Sequence, residues 1–302
     1  MPCPRMSSRC SMTMNRQAFL DHRFLGCQQE PQDAGIWVFG APFDGTVTFR
    51  PGTRFGPEAM RRESIGLETY SPYQDLDLEE DMKIADLGDL DLPFGNRDGC
   101  LDLIGQTVGD IVDRGRRPFM VGGEHLVSLP AVLAVHRAHP DLCLVHFDAH
   151  TDLRAEYLGE ERSHSSVIRR IWDQLGDGRI WQFGIRSGTR EEFSWASGGH
   201  TTMERFRADT VSDARKALEG RPVYVTVDLD VLDPSVFAGT GTPEAGGLSF
   251  HELLEGLLGL SGLQIVGADV VELAPHYDPS GVSTAVACKV MRELLLLMGR
   301  CV

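Results

Sequence analysis

The chain has 302 residues, 42% of them hydrophobic, and a formal net charge of −15. That apolar share can build a sizeable core, while the acidic balance argues against nucleic acid as a partner, since phosphate binding needs a basic surface. It is compatible with a small cationic ligand, although taken alone solubility explains it better, and no run of about 18 uncharged apolar residues exists that could form a membrane-spanning helix.

In chain order, residues 1–14 are polar, rich in Met, Ser and Arg, and lack the apolar segment of a secretory signal. A flexible tail is expected over residues 1–30, followed by one catalytic domain over 31–302, because no linker or internal repeat divides the rest. Short apolar runs bordered by Gly or Asp predict a strand at 36–41 and another within 83–90. A helix is predicted at 101–113, a strand at 117–122, a helix at 126–136 and a strand at 142–147. Strands at 179–185, 223–231 and 265–271 and a long helix at 282–298 complete the series. Alternation of this kind predicts an α/β fold, a mostly parallel sheet with helices on both faces. The 7 cysteines (Cys3, Cys10, Cys27, Cys100, Cys143, Cys288 and Cys301) are scattered and form no CxxC pair, which fits a reducing compartment rather than a disulfide framework.

Three predicted strand ends carry ligand-type residues. Asp148-Ala-His150-Thr-Asp152 follows the run LCLVHF, and in extended chain its alternate side chains share one face. Asp228-Leu-Asp230 closes VYVTV in the same way. Gly122-Gly123-Glu124-His125 follows RPFMV, with His125 opening the next helix. Sites in open parallel sheets form at the carboxyl ends of strands. Four carboxylates and two imidazoles there are costly to bury unless a cation compensates them. Oxygen-rich ligation with two nitrogens suits Mn²⁺ better than structural Zn²⁺, and the carboxylate count fits two ions about 3.5 Å apart. Each motif alone also has a plainer explanation: DxHxD and DxD occur in solvated loops, and Glu124 fits the positive end of a helix. His146 shares the strand parity of Asp148 but lies deeper, which fits a hydrogen-bonding or core role rather than ligation.

At these residues the sequence resembles the ureohydrolase (arginase–agmatinase) family. The likeness runs through APFDGTVTFRPGTRFGP, GGEHLVSLP, HFDAHTDLR, VTVDLDVLDPS, GTGTPEAGGLS and VVELAPHYDPSGVSTAVACKV. Within the family, FRPGTRFGPEAMR, SIGLETYSPY, LPFGN and AEYLGEERSHSSVIRR are similar to the bacterial agmatinase branch. The resemblance implies a three-layer α/β/α fold with a mainly parallel eight-stranded sheet. It implies two Mn²⁺ ions per chain, one held by His125, Asp148, Asp152 and Asp228, the other by Asp148, His150, Asp228 and Asp230. It further implies hydrolysis of agmatine to putrescine and urea and a homo-oligomer (trimer or hexamer); charge, hydropathy and cysteine usage add the expectation of a cytoplasmic location with no nucleic-acid or membrane partner. By position, His164 matches the family's loop histidine and Glu272 its guanidinium-binding glutamate. One departure is Leu126, where many members have Ser after the metal-binding histidine.

The expected chemistry is attack of a metal-bridging hydroxide on the guanidinium carbon, with Asp230 orienting the nucleophile, His164 shuttling a proton and Glu272 pairing with the substrate. Taken without the resemblance, His164 reads rather as an exposed loop histidine, and Glu272 equally as a cap or surface ion pair. Other guanidino substrates (guanidinobutyrate, guanidinopropionate, arginine or formiminoglutamate) share this chemistry. A carboxylate-ended substrate would draw on Arg50, Arg54 or Arg154. The stretch LRAEYLGEERS lacks the polar loop with which arginases read an α-amino acid. A non-catalytic family member would be expected to have lost ligands, and a one-zinc deacetylase would need fewer carboxylates.

Overall fold

The computed structural model describes residues 23–300. Its elements are β1 (Ile36–Ala41), α1 (Gly56–Ser64), a small hairpin of β2 (Tyr70–Ser71) and β3 (Leu76–Asp77), β4 (Ile84–Asp89), α2 (Arg97–Asp113), β5 (Arg117–Gly122), α3 (Ser128–Ala138) and β6 (Cys143–Phe147). There follow α4 (Val167–Leu175), β7 (Ile180–Ile185), α5 (Arg190–Trp195), β8 (Thr202–Arg205), α6 (Val211–Ala217), β9 (Pro222–Asp228), α7 (Phe250–Leu258), β10 (Gln264–Val271) and α8 (Val282–Gly299). Eight strands form one sheet in the order β4-β1-β5-β10-β9-β6-β7-β8, and every pairing in it is parallel.

Alternate strand side chains enter two separate cores, because successive residues of a strand point to opposite faces. Val38, Val145, Val223, Val225 and Val227 join one core with residues of α1, α6, α7 and α8. Phe39, Leu144 and Tyr224 join the other with residues of α2, α3 and α4. A sheet buried on both faces explains why its strands read as continuous apolar runs.

The exception is β8, whose sequence TMER is half exposed at the sheet edge and shows no apolar run. Residues 1–22 of the expected tail lie outside the described residues. In the remainder Phe24 and Cys27 are buried and the Phe24 amide donates to Asp86 Oδ2 at 2.8 Å, while Gln29 and Glu30 are exposed. Among the described residues no helix is long and apolar enough to cross a membrane.

Two expected boundaries shift where the chain turns at strand ends. The strand predicted to 231 stops at Asp228, because the Asp228 carboxylate accepts the Asp230 amide at 2.8 Å and starts a 3-10 turn over Leu229–Val231. The helix predicted from 126 begins at Ser128, after a 3-10 turn over His125–Val127.

Candidate metal centre

All six residues singled out as ligands meet at the carboxyl ends of β5, β6 and β9. His125 Nδ1 lies 3.1 Å from Asp148 Oδ2, 3.2 Å from Asp152 Oδ2 and 3.4 Å from Asp228 Oδ2. His150 Nδ1 lies 3.0 Å from Asp230 Oδ2 and 3.5 Å from Asp148 Oδ1. The convergence is not simple strand alternation, as the sequence suggested. The His150 amide folds back to Asp148 Oδ1 at 2.5 Å, and Asp152 adopts a left-handed φ of 52°.

Hydrogen bonds assign the tautomers of both buried histidines. The Thr226 hydroxyl donates to Asp269 Oδ1 at 2.5 Å, so it must accept from His125 Nε2–H at 3.0 Å. The lone pair of His125 Nδ1 therefore faces three carboxylates, and that atom has no hydrogen-bond partner. A cation between them resolves the arrangement, and the oxygen-rich donor set with imidazole suits Mn²⁺. The network around His146 has the opposite sense. Gln182 Nε2 donates to Thr151 O at 2.9 Å and to His146 Nδ1 at 3.1 Å, which leaves His146 Nε2–H to donate to Asp148 Oδ2 at 2.8 Å. His146 sits close enough to His125 and Asp148 to share an ion. Its proton lies on the side facing Asp148, which favours orienting that carboxylate over ligation.

The electrostatics report the same crowding. Burial, then the Asp230 and Asp148 charges, push Asp228 well above the usual carboxylate range. Burial and Asp148 raise Asp152 to about 7. Burial alone would lower the pKa of His125 and His150, yet the surrounding carboxylates raise both well above 6.5. Asp148 goes the other way: against burial, His146, His125 and His150 hold it well below 3.8. Such a cluster needs protons or cations.

Glu272 follows β10, with a left-handed φ of 68°. Its amide donates to Gly123 O at 2.9 Å, and its Oε1 accepts the His125 amide at 2.7 Å. Positive φ at a Glu is strained and persists only when the surroundings over-determine it. Burial and then Glu124 hold the Glu272 carboxyl well above its ordinary range. It lines a cavity of about 340 Å³ together with His150, Asp152, Asp228 and His164. His164 is thus no exposed loop histidine: burial, aided by His150, His125 and Arg154, depresses its pKa below 6.5.

Of the three arginines held open as anchors, only Arg154 lines this cavity, its guanidinium 4.6 Å from the Tyr157 ring centre. Arg50 stacks on Tyr277 at 3.8 Å, and Arg54 pairs with Asp44. Leu126 is fully buried, so the departure there is absorbed by the core. Sequence reasoning missed Thr226 and Asp269, whose only signal is a polar residue inside an apolar strand. It also missed Tyr157, Thr46 and Thr242, the last of which donates to Asp230 Oδ2 at 3.2 Å.

The arginase family model matches residues 34–297. The chain belongs to the arginase family. It is 46% identical to the agmatinase of Bacillus anthracis over 93% of this chain and 97% of that one. It is 48% identical to the agmatinase of Halalkalibacterium halodurans, covering 93% and 98%. The crystal structure of the agmatine ureohydrolase of Thermoplasma volcanium superposes with a TM-score of 0.85 at 31% identity, covering 94% of this chain and 97% of that chain. Arginase-family enzymes are metal-dependent hydrolases of amidino C–N bonds, and the buried His/Asp cluster supplies the donors such a metal needs.

Proposed function

We propose that this chain is an agmatinase, hydrolysing agmatine to putrescine and urea with two Mn²⁺ ions. His125, Asp148, Asp152 and Asp228 would hold one ion, and Asp148, His150, Asp228 and Asp230 the other, with Asp148 and Asp228 shared. The observation that carries the reading is the unpartnered Nδ1 of His125 among three buried carboxylates, at the floor of a cavity that also presents Glu272. The similarity to curated agmatinases supports the substrate. A cytoplasmic oligomer, trimeric or hexameric, completes the reading by family likeness alone.

When bound, the ions neutralise the carboxylates and supply a water nucleophile at neutral pH. The rest falls to side chains. Glu272 has one oxygen committed to the His125 amide, and a guanidinium can pair with the carboxylate by charge-assisted hydrogen bonds. Asp230, steadied by Thr242, orients the water by accepting its hydrogen bond. His164, neutral at pH 7 because burial lowers its pKa, takes up the proton that the attacking water loses and delivers it to the amine as its C–N bond breaks.

Arg154 favours one alternative, a substrate with a carboxylate at its far end, because it lines the cavity. Against this, its guanidinium already stacks on Tyr157 and lies 3.9 Å from Glu192. The deciding experiment is urea release from a panel of guanidino compounds with Mn²⁺ present. Agmatine should lead by orders of magnitude in kcat/KM. Equal turnover of guanidinobutyrate would overturn the choice of agmatine.

A further inference from the structure

Glu124 is fully buried within the Gly-Gly-Glu-His segment, yet it does not cap the turn that follows. Its carboxylate leaves the helix end and reaches the loop after β1. There Oε2 accepts the Thr46 amide at 2.9 Å, and Oε1 accepts the Thr46 hydroxyl. With its proton given to Glu124, the Thr46 oxygen is free to accept, and it accepts the His164 amide at 3.1 Å. His164 opens a 3-10 turn over His164–Ser166, and the first amides of such a turn have no partner within it. Thr46 supplies one for His164 itself.

The same short segment governs the other working groups. Gly123 O accepts the Glu272 amide, the His125 amide donates to Glu272 Oε1, and the His125 ring joins the metal cluster. Glu124 is thus one bond from Thr46 and two from the backbone of His164. Threonine at 46 is held at both its amide and its hydroxyl, so its own position is determined rather than free. Proton transfer depends steeply on sub-ångström placement of the group that performs it.

We propose that Glu124 and Thr46 are positioning residues that set the backbone of His164 against the guanidinium site. The proposal rests on the reading of His164 given above. It is tested on the full-length, Mn²⁺-loaded enzyme with agmatine. Thr46→Val keeps the shape and removes the hydroxyl, whereas Thr46→Ser keeps the hydroxyl. Thr46→Val should lower kcat on the order of 10-fold, a fraction of the ~10²–10⁴ that an acid–base group contributes. KM and metal content should change little, and Thr46→Ser should restore most of the rate. In a His164→Asn background, Thr46→Val should cost nothing more, because residues acting through one group are not additive.

A loss that persists in full in the His164→Asn background would overturn the proposal and leave a structural role. So would an unchanged kcat in Thr46→Val alone. If Thr46→Val fails to fold, Thr46→Ala measured against Thr46→Ser carries the same comparison. Wild-type enzyme that releases urea from no guanidino compound would overturn the reading of His164 and the positioning proposal together. Active wild type with an undiminished Thr46→Val would overturn only the latter.

Discussion

Glu272 and Asp152 both occupy left-handed backbone conformations, which side chains other than glycine adopt at a cost. Their φ values place two carboxylates where extended chain would not. The sequence revealed the residue types but not this geometry, because alternation along a strand predicted the wrong path for Asp152. Glu272→Gln should lower kcat/KM for agmatine by roughly 100-fold or more, since a charge-assisted pair becomes a neutral one, with metal content unchanged. Unaltered kinetics would reject its role. Thr226 was invisible for a different reason. Its partners His125 and Asp269 lie 101 and 43 residues away, and only the fold brings them together. Thr226→Val leaves the His125 ring unoriented. It should weaken Mn²⁺ binding by roughly 10–100-fold, measured by titration of the metal-free protein. Equal affinity would show that the Nδ1 lone pair is held without it.

The elements that read well from sequence are those buried on both faces: β1 and β5 fall at the predicted bounds. The edge strand β8 has no such burial and left no pattern to read. Just after β5, the constraint on Gly123 is close approach of the backbone. A Cβ there would meet Phe43 O at 1.8 Å. Gly123→Ala should therefore push the loop after β1 away and lower the melting temperature by several degrees, as overpacking by even one methyl costs about 1–3 kcal/mol. An unchanged melting temperature would contradict the packing described.

The long loop after β9 depends on charge. Asp233 accepts the amides of Ser235, Gly246 and Gly247, and these bonds, with the Ser235 hydroxyl foremost, lower its pKa to about 2. A depressed carboxyl stabilises the fold above its unfolded pKa of 3.8 and loses that contribution as pH falls toward about 2. Asp233→Asn should destabilise the fold at pH 7, and that loss should shrink between about pH 4 and pH 2 in thermal melts. A constant difference across that window would reject the assignment.

At the scale of the molecule, the parallel sheet gathers four carboxylates and two imidazoles from three strand ends into one buried cluster. The fold class and the convergence of the six side chains were legible because each motif follows a strong apolar run. The cavity wall was not, because Tyr157 and Thr242 come from loops without periodicity. On the proposed reading, cations would hold this cluster and stability would depend on them: a ligand at 100 times its Kd adds about 2.7 kcal/mol. The most direct measurement is an anomalous difference map at the manganese edge, from crystals of the Mn²⁺-loaded protein. Two peaks are expected, one beside His125 Nδ1 and one beside His150 Nδ1, with Asp148 and Asp228 between them. A single peak, no peak, or peaks away from these six side chains would contradict the two-ion site.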